Sequence, residues 1–244
     1  MLEPHTAAGL ALATATVVVG LVCLSLVSRR KDGVRSEKEL IATLGVPMVA
    51  ARPLAAADLA RQLSLQWFSC GRPVLAVVSA EDADGGTQVA AELARALARR
   101  GEPTLLIDAD FRAPSLHRAF GLRNRAGLAD FLEGRGTHLA HCEENLTVLV
   151  AGRSGGDPLE LLSRPRMLEL LAAAAKRYRA VLVNTPAAAF GPDLQLSAAY
   201  AGGALVVARF STKSSALQRL RDFLGFCRAR VVGTVLNPAA SQPS

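Results

Sequence analysis

Six short apolar runs, at 74–78, 104–107, 146–150, 181–183, 204–208 and 231–236, set the tightest limit on what this chain can fold into. None alternates apolar with polar residues, so each fits a strand buried on both faces. The stretches between them have helical spacing, at 88–100, 166–178, 193–201 and 214–228, with a broken segment at 115–133. Strand–helix alternation of this kind predicts an α/β domain with a doubly wound, mainly parallel sheet covered on both sides. Half of the chain is apolar but only 5% is aromatic. That balance, chiefly Ala, Val and Leu, suits helices and buried parallel strands.

Ahead of this domain, residues 7–27 read AAGLALATATVVVGLVCLSLV, without a charge. At about 1.5 Å per residue such a helix just spans a hydrocarbon core of about 30 Å. Glu3 and His5 precede it and Ser28-Arg29-Arg30-Lys31 follow it, the reverse of a cleaved signal peptide. The positive-inside rule places residues 1–6 outside the cell and everything after the span in the cytoplasm, on a single-pass anchor in the plasma membrane. Residues 28–66, interrupted by Pro47 and Pro53, are expected to form a juxtamembrane linker with one short helix and a second at 58–68. The main domain is expected over 67–238 and a frayed tail over 239–244. The net charge of +7 reads as a surface facing an anionic membrane, since the densest basic run abuts the apolar span; nucleic acid is not an expected partner. Arg219, Arg221, Arg228 and Arg230 read as a solvated face. Cys23, Cys70, Cys142 and Cys227 show no paired spacing, which fits a reducing compartment. His138, His141 and Cys142 lack the second ligand pair of a zinc site and read as a polar loop.

In doubly wound folds ligands bind at the carboxyl ends of the strands. The loop after the first run reads Ser79-Ala-Glu-Asp-Ala-Asp-Gly-Gly-Thr-Gln88 and leads into a helix. A phosphate loop needs glycines, a lysine for the β- and γ-phosphates and a Ser or Thr for Mg²⁺. Gly85 and Thr87 fit their places, with Gln88 following, but Gly86 stands in the lysine position. Glu81, Asp82 and Asp84 add carboxylates beside a polyanionic ligand. Opposed charges at 4 Å are worth about 4 kcal/mol near a protein surface, whereas a helix N-terminus offers an anion only about 0.3–1 kcal/mol. Charge therefore argues against tight triphosphate binding. After the second run, Asp108 and Asp110 occupy alternate positions at a strand end, where two carboxylates can hold a metal through water and position a nucleophile.

Beyond these motifs, the segment LLIDADFRAPSLHRAFGL, then Gly127-Leu-Ala-Asp-Phe-Leu132, Asn145-Leu146 to Ala151-Gly152, Asp157-Pro-Leu-Glu-Leu-Leu162, Val181-Leu-Val-Asn-Thr-Pro186 and Gly233-Thr-Val-Leu-Asn237 occur in one consistent order. Together they resemble the bacterial tyrosine kinases, the cytoplasmic domains that work with polysaccharide chain-length regulators, over about 67–238. The resemblance implies a P-loop nucleoside-triphosphatase type of fold, ATP or ADP with Mg²⁺ as cofactor, Thr87 and Asp108 as metal ligands, and Asp108 and Asp110 as the catalytic carboxylates with Arg112 beside them. It places Gly85, Gly86, Thr87, Gln88, Asn184 and Asn237 around the nucleotide, with Asn237 near the adenine.

The chain departs from that pattern at Gly86, where the family has lysine, and at Asn184, where it has the aspartate of a second acidic strand. Asn brings hydrogen bonds but no charge. Phosphoryl transfer rests on that charge, so nucleotide binding is expected to be weak or absent. The tyrosine-rich tail common in the family is also missing, the two tyrosines being Tyr178 and Tyr200 inside expected helices. The expected function is that of a membrane-anchored pseudokinase scaffold in exopolysaccharide or capsule assembly or export. Its expected partner is a chain-length regulator or an active tyrosine kinase, in a homo- or hetero-oligomer. The alternatives are an active protein-tyrosine kinase using a cation from Arg112 or a neighbouring subunit, and a partition-type ATPase.

Overall fold

The computed structural model describes residues 37–45, 48–51, 56–153 and 155–237. The expected span at 7–27 and the tail at 239–244 lie outside them. Among the described residues no helix is long and apolar enough to cross a membrane.

The elements in chain order are α1 (Glu37–Leu44), β1 (Met48–Ala51), α2 (Ala56–Gln66), β2 (Val74–Ser79), α3 (Gly86–Arg99), β3 (Thr104–Asp108), α4 (Leu116–Ala119), α5 (Leu128–Leu132), β4 (Ala140–Glu143), β5 (Leu146–Leu149), α6 (Pro158–Leu162), α7 (Pro165–Arg177), β6 (Ala180–Asn184), α8 (Asp193–Ala201), β7 (Gly203–Ala208), α9 (Ser214–Phe226) and β8 (Arg230–Leu236). They build one eight-stranded sheet in the order β1-β8-β7-β2-β6-β3-β5-β4. Every pairing is parallel except β4 with β5. All six apolar runs are strands, and β3, β5, β6 and β7 are buried along their whole length.

Alternate residues of the strands feed opposite layers, because successive side chains of a strand point to opposite faces. Leu75, Val77, Leu106, Leu182, Leu205 and Val207 pack with Leu59 and Leu63 of α2 and the Val89, Leu93 and Leu97 stripe of α3. On the other face Ala76, Val78, Ala204 and Val206 meet α1, α8 and α9. Farther along that face, Leu105, Ile107, Val181 and Val183 meet α5, α6 and α7.

Two elements lie where the sequence suggests linker. Leu40 and Leu44 of α1 are buried against α9, and β1 pairs in parallel with β8 as an edge strand. α1, β1 and α2 thus add one helix to each face and an edge strand to the same sheet. At the opposite edge the segment read as a polar loop is β4, with His141 opposite Thr147 and its ring Nδ1 3.1 Å from that hydroxyl. The broken segment at 115–133 is two short helices, α4 and α5. Tyr178 caps α7 rather than lying within it.

Candidate functional site

The chain runs from β2 past β6 to β3, and from β6 back past β2 to β7, so the carboxyl ends of β2, β6 and β3 lie side by side at the switch point of the sheet. Here lies a cleft of about 520 Å³ whose walls include Ser79, Gly86, Thr87, Asp110 and Ser115.

The loop from β2 makes a single 3₁₀ turn, Asp82–Asp84, and then Gly85 takes a left-handed conformation (φ 81°) to start α3. Asp84 faces inward rather than toward a ligand. Its carboxylate is almost fully buried, accepting the Glu81 backbone N–H at 2.9 Å and the Thr212 hydroxyl. Burial, the largest influence, raises its pKa above the ordinary carboxylate value, opposed by the Thr212 bond. Arg209, just past β7, donates to the Ala83 carbonyl, and Asn237, just past β8, donates through Nδ2 to the Asp84 carbonyl at 2.9 Å. The loop is therefore fastened from below by the ends of β7 and β8. Asn237 lies against it, and a Cβ on Gly85 would sit 2.4 Å from its Nδ2.

Asp108 ends β3 and Asn184 ends β6, and the register pairs them directly. The Asn184 Nδ2 donates to Asp108 Oδ1 at 2.9 Å and to the Thr87 hydroxyl at 3.3 Å. Asp108 Oδ1 also accepts the Asp110 N–H, and its Oδ2 accepts the Leu116 N–H, both at 3.3 Å. Ser115 donates to Thr87 at 3.4 Å. Asp108 is wholly buried, and that burial pushes its carboxyl up to about 7, opposed by the Asn184 bond and reinforced by the charge of Asp110. Asp110 is raised for the same first reason, against backbone bonds from Ala113 and Arg112. Asn184 Oδ1 is buried with no hydrogen-bond partner among the described residues.

Thr87, Asp108, Asp110 and Asn184 thus lie together, and Gly86 lies at the first turn of α3, where a Cβ would stand 3.3 Å from Ser79 Oγ. Gln88 is exposed and bonds Glu92 one turn on. Arg112 does not enter the cleft. Its guanidinium pairs with the buried Asp193 of α8 (2.5 and 3.3 Å), which raises the arginine pKa. Arg95, which does line the cleft, is held by Glu143 and the Ala119 carbonyl at 2.8 Å each and lies over the Phe120 ring. Arg95, Arg209 and Thr212 carry no motif in the sequence, and Asp84, which the sequence sets beside a ligand with Glu81 and Asp82, is instead buried against Thr212.

A Mg²⁺–nucleotide fits these residues in part. The orphan N–H groups at the start of α3 and the Thr87 hydroxyl and Asp108 carboxylate suit phosphate and metal. However, Asp82, Glu92 and Asp110 line the same cleft, and Arg95, the one guanidinium lining it among the described residues, is already paired. An amide, not a cation, joins Thr87 to Asp108.

The sheet order, the loop-to-helix phosphate cradle and the paired acidic strand end define a P-loop-type α/β domain. No family model matches the chain. It is similar to the tyrosine-protein kinase YwqD of Bacillus subtilis, 33% identical over 166 residues, covering 66% of this chain and 70% of that protein. It is also similar to the tyrosine-protein kinase wzc of Salmonella typhimurium, 34% identical over 146 residues and covering 58% of this chain, but it spans only 20% of that relative's length. Among solved structures, the kinase domain of the Escherichia coli tyrosine kinase ETK superposes with a TM-score of 0.72 at 28% identity, covering 78% of this chain and 76% of that one. The cell-division ATPase MinD of Pyrococcus furiosus shares the fold (TM-score 0.58, 22% identity, 68% and 72% coverage). The chain belongs to the bacterial tyrosine-protein kinase family.

Proposed function

We propose that this protein is a membrane-anchored member of the bacterial tyrosine kinases that acts in exopolysaccharide or capsule assembly as a pseudokinase scaffold, with weak or absent ATP turnover. The apolar run at 7–27 is its anchor, with the N-terminus outside and the described domain in the cytoplasm. Its partner is a chain-length regulator or an active tyrosine kinase.

The observation that carries this reading is the Asn184 amide between Thr87 and Asp108. A metal site needs net negative charge from its ligands, and phosphoryl transfer needs cations on the phosphates. Asn184 removes one ligand charge, Gly86 removes the loop cation, and neither Arg95 nor Arg112 is available as a replacement.

Calorimetric titration of the protein with ATP and Mg²⁺, alongside phosphotyrosine detection on a tyrosine-rich peptide, tests the proposal. Binding no tighter than millimolar and no phosphotyrosine are expected. Micromolar affinity with turnover that Asp108→Ala abolishes would establish an active kinase instead.

A further inference from the structure

At the opposite end of the sheet a second cavity, of about 540 Å³, opens at the amino ends of β2, β7 and β8. Its walls include Trp67, Arg72, Val74, Tyr200, Arg228 and Arg230. We infer that this cavity is a binding site for a small organic phosphate with a flat apolar body.

The charge distribution is the first ground. Among the described residues no Asp or Glu lines the cavity. Arg61, Arg95, Arg100, Arg112, Arg135 and Arg221 each have a carboxylate within ion-pair distance. Arg72, Arg228 and Arg230 have none among the described residues. Arg72 only lies over the Trp67 ring, 5.0 Å from its centre. Three uncompensated guanidinium groups around one concavity raise the local potential for an anion, and their planar forks suit phosphoryl oxygens.

The backbone gives the second ground. Arg228, the residue after the Cys227 cap of α9, lies in the left-handed region (φ 55°), in the turn where Arg228 N–H meets the Gly225 carbonyl and Ala229 N–H the Leu224 carbonyl. Glycine is the usual residue there, and an L side chain costs about 1–2 kcal/mol. Strain retained at such a position points to a use for the side chain, and this one borders the cavity.

The third ground is the floor. Trp67 is buried, its indole N–H donates to the Val74 carbonyl at 2.9 Å, and its six-membered ring fills the space a Cβ on Gly203 would need. With the half-buried Tyr200 it supplies a fixed apolar wall. A cavity of this size lies within the range of about 300–1,000 Å³ typical of small-molecule sites. The inference does not depend on whether the nucleotide cleft is active.

Trp67 is the sole tryptophan of the chain and borders this cavity, so its fluorescence reports on it, and Thr87→Ala separates any signal that comes from the nucleotide cleft. The full chain is titrated with phenyl phosphate and, separately, with inorganic phosphate. A saturable fluorescence change with phenyl phosphate is expected, unaffected by Thr87→Ala. The double variant Arg228→Gln, Arg230→Gln, whose exposed side chains make no bond among the described residues, is expected to keep its Tm and weaken binding by about tenfold or more, as losing charge-assisted contacts does. No saturable change, or the same curve in the double variant, would overturn the site. Equal affinity for inorganic phosphate would overturn the organic ligand.

Discussion

Asn184 Nδ2 lies 2.9 Å from Asp108 Oδ1, and the two residues are register partners at the ends of adjacent parallel strands. The contact follows from topology: β6 sits between β2 and β3, so whatever ends β6 must touch both the phosphate loop and the acidic strand end. A neutral amide there satisfies a buried carboxylate and the Thr87 hydroxyl without a metal.

Replacing that amide by a carboxylate, Asn184→Asp, sets two buried acidic groups side by side and removes the donor. Lost hydrogen bonding and like-charge repulsion together predict a destabilisation of about 2–4 kcal/mol at pH 8 in chelator. Added Mg²⁺ is expected to recover much of it. Melting curves with and without Mg²⁺ check this; an unchanged Tm in chelator would mean that the amide bond contributes nothing.

The Asp108 carboxyl sits at about 7 in the folded chain against 3.8 ordinarily. The folded state therefore holds its proton more tightly than the unfolded state. Its contribution to stability is fully present below about pH 4 and is lost as pH rises to 7. At 1.36 kcal/mol per pH unit the effect is at most about 4 kcal/mol. Asp84 and Asp110, also raised, act with the same sign. Unfolding free energy measured at pH 5 and pH 8 should fall across that interval, and the fall should shrink in Asp108→Asn.

The sequence exposes the six central strands because burial on both faces leaves an uninterrupted apolar run. It conceals the edges for the converse reason. In β4, Ala140 to Glu143 alternates half-buried with exposed residues and carries His141 and Glu143, while β1 is four residues between Pro47 and Pro53. The places of Asp108 and Asp110 at a strand end and of Thr87 in the loop that starts α3 can be read from the sequence, whereas Asn184 stands out only through the family resemblance. The turn of Arg112 toward Asp193 was not, since 81 residues separate them and only α8 packing decides it. The same holds for Thr212 and Asp84, 128 residues apart.

Thr212 links the buried Asp84 carboxylate to the Arg209 backbone N–H, which its hydroxyl accepts at 2.7 Å. Thr212→Val keeps the shape and deletes both bonds, leaving a nearly buried carboxylate short of a donor. A loss of about 1–3 kcal/mol is expected by chemical denaturation, the penalty of an unsatisfied buried group. Serine at this position should restore most of it.

Gly86 is the position at which charge can be returned. Among the described residues a Cβ there meets only the Ser79 side chain, with Oγ at 3.3 Å, so a lysine needs a small rotation of Ser79 and no backbone movement. Gly86→Lys should tighten ATP binding by about tenfold, the effect of roughly 1.4 kcal/mol, while phosphotyrosine formation stays absent until Asn184→Asp is added. Calorimetry on the single and double variants separates the two steps.

Gly85 carries two constraints that a double-mutant cycle can divide. Its φ of 81° strains any L side chain by about 1–2 kcal/mol, and its Cβ would stand 2.4 Å from Asn237 Nδ2. Gly85→Ala should therefore destabilise by about 2–4 kcal/mol, strain and overlap combined. Asn237→Ala alone deletes the bond to the Asp84 carbonyl and should lose about 1–2 kcal/mol. With both substitutions the overlap is gone, so the combined loss should be smaller than the sum of the two, leaving mainly the backbone strain and the lost bond. Strict additivity would show that Asn237 swings aside freely and does not fasten the phosphate loop to the end of β8.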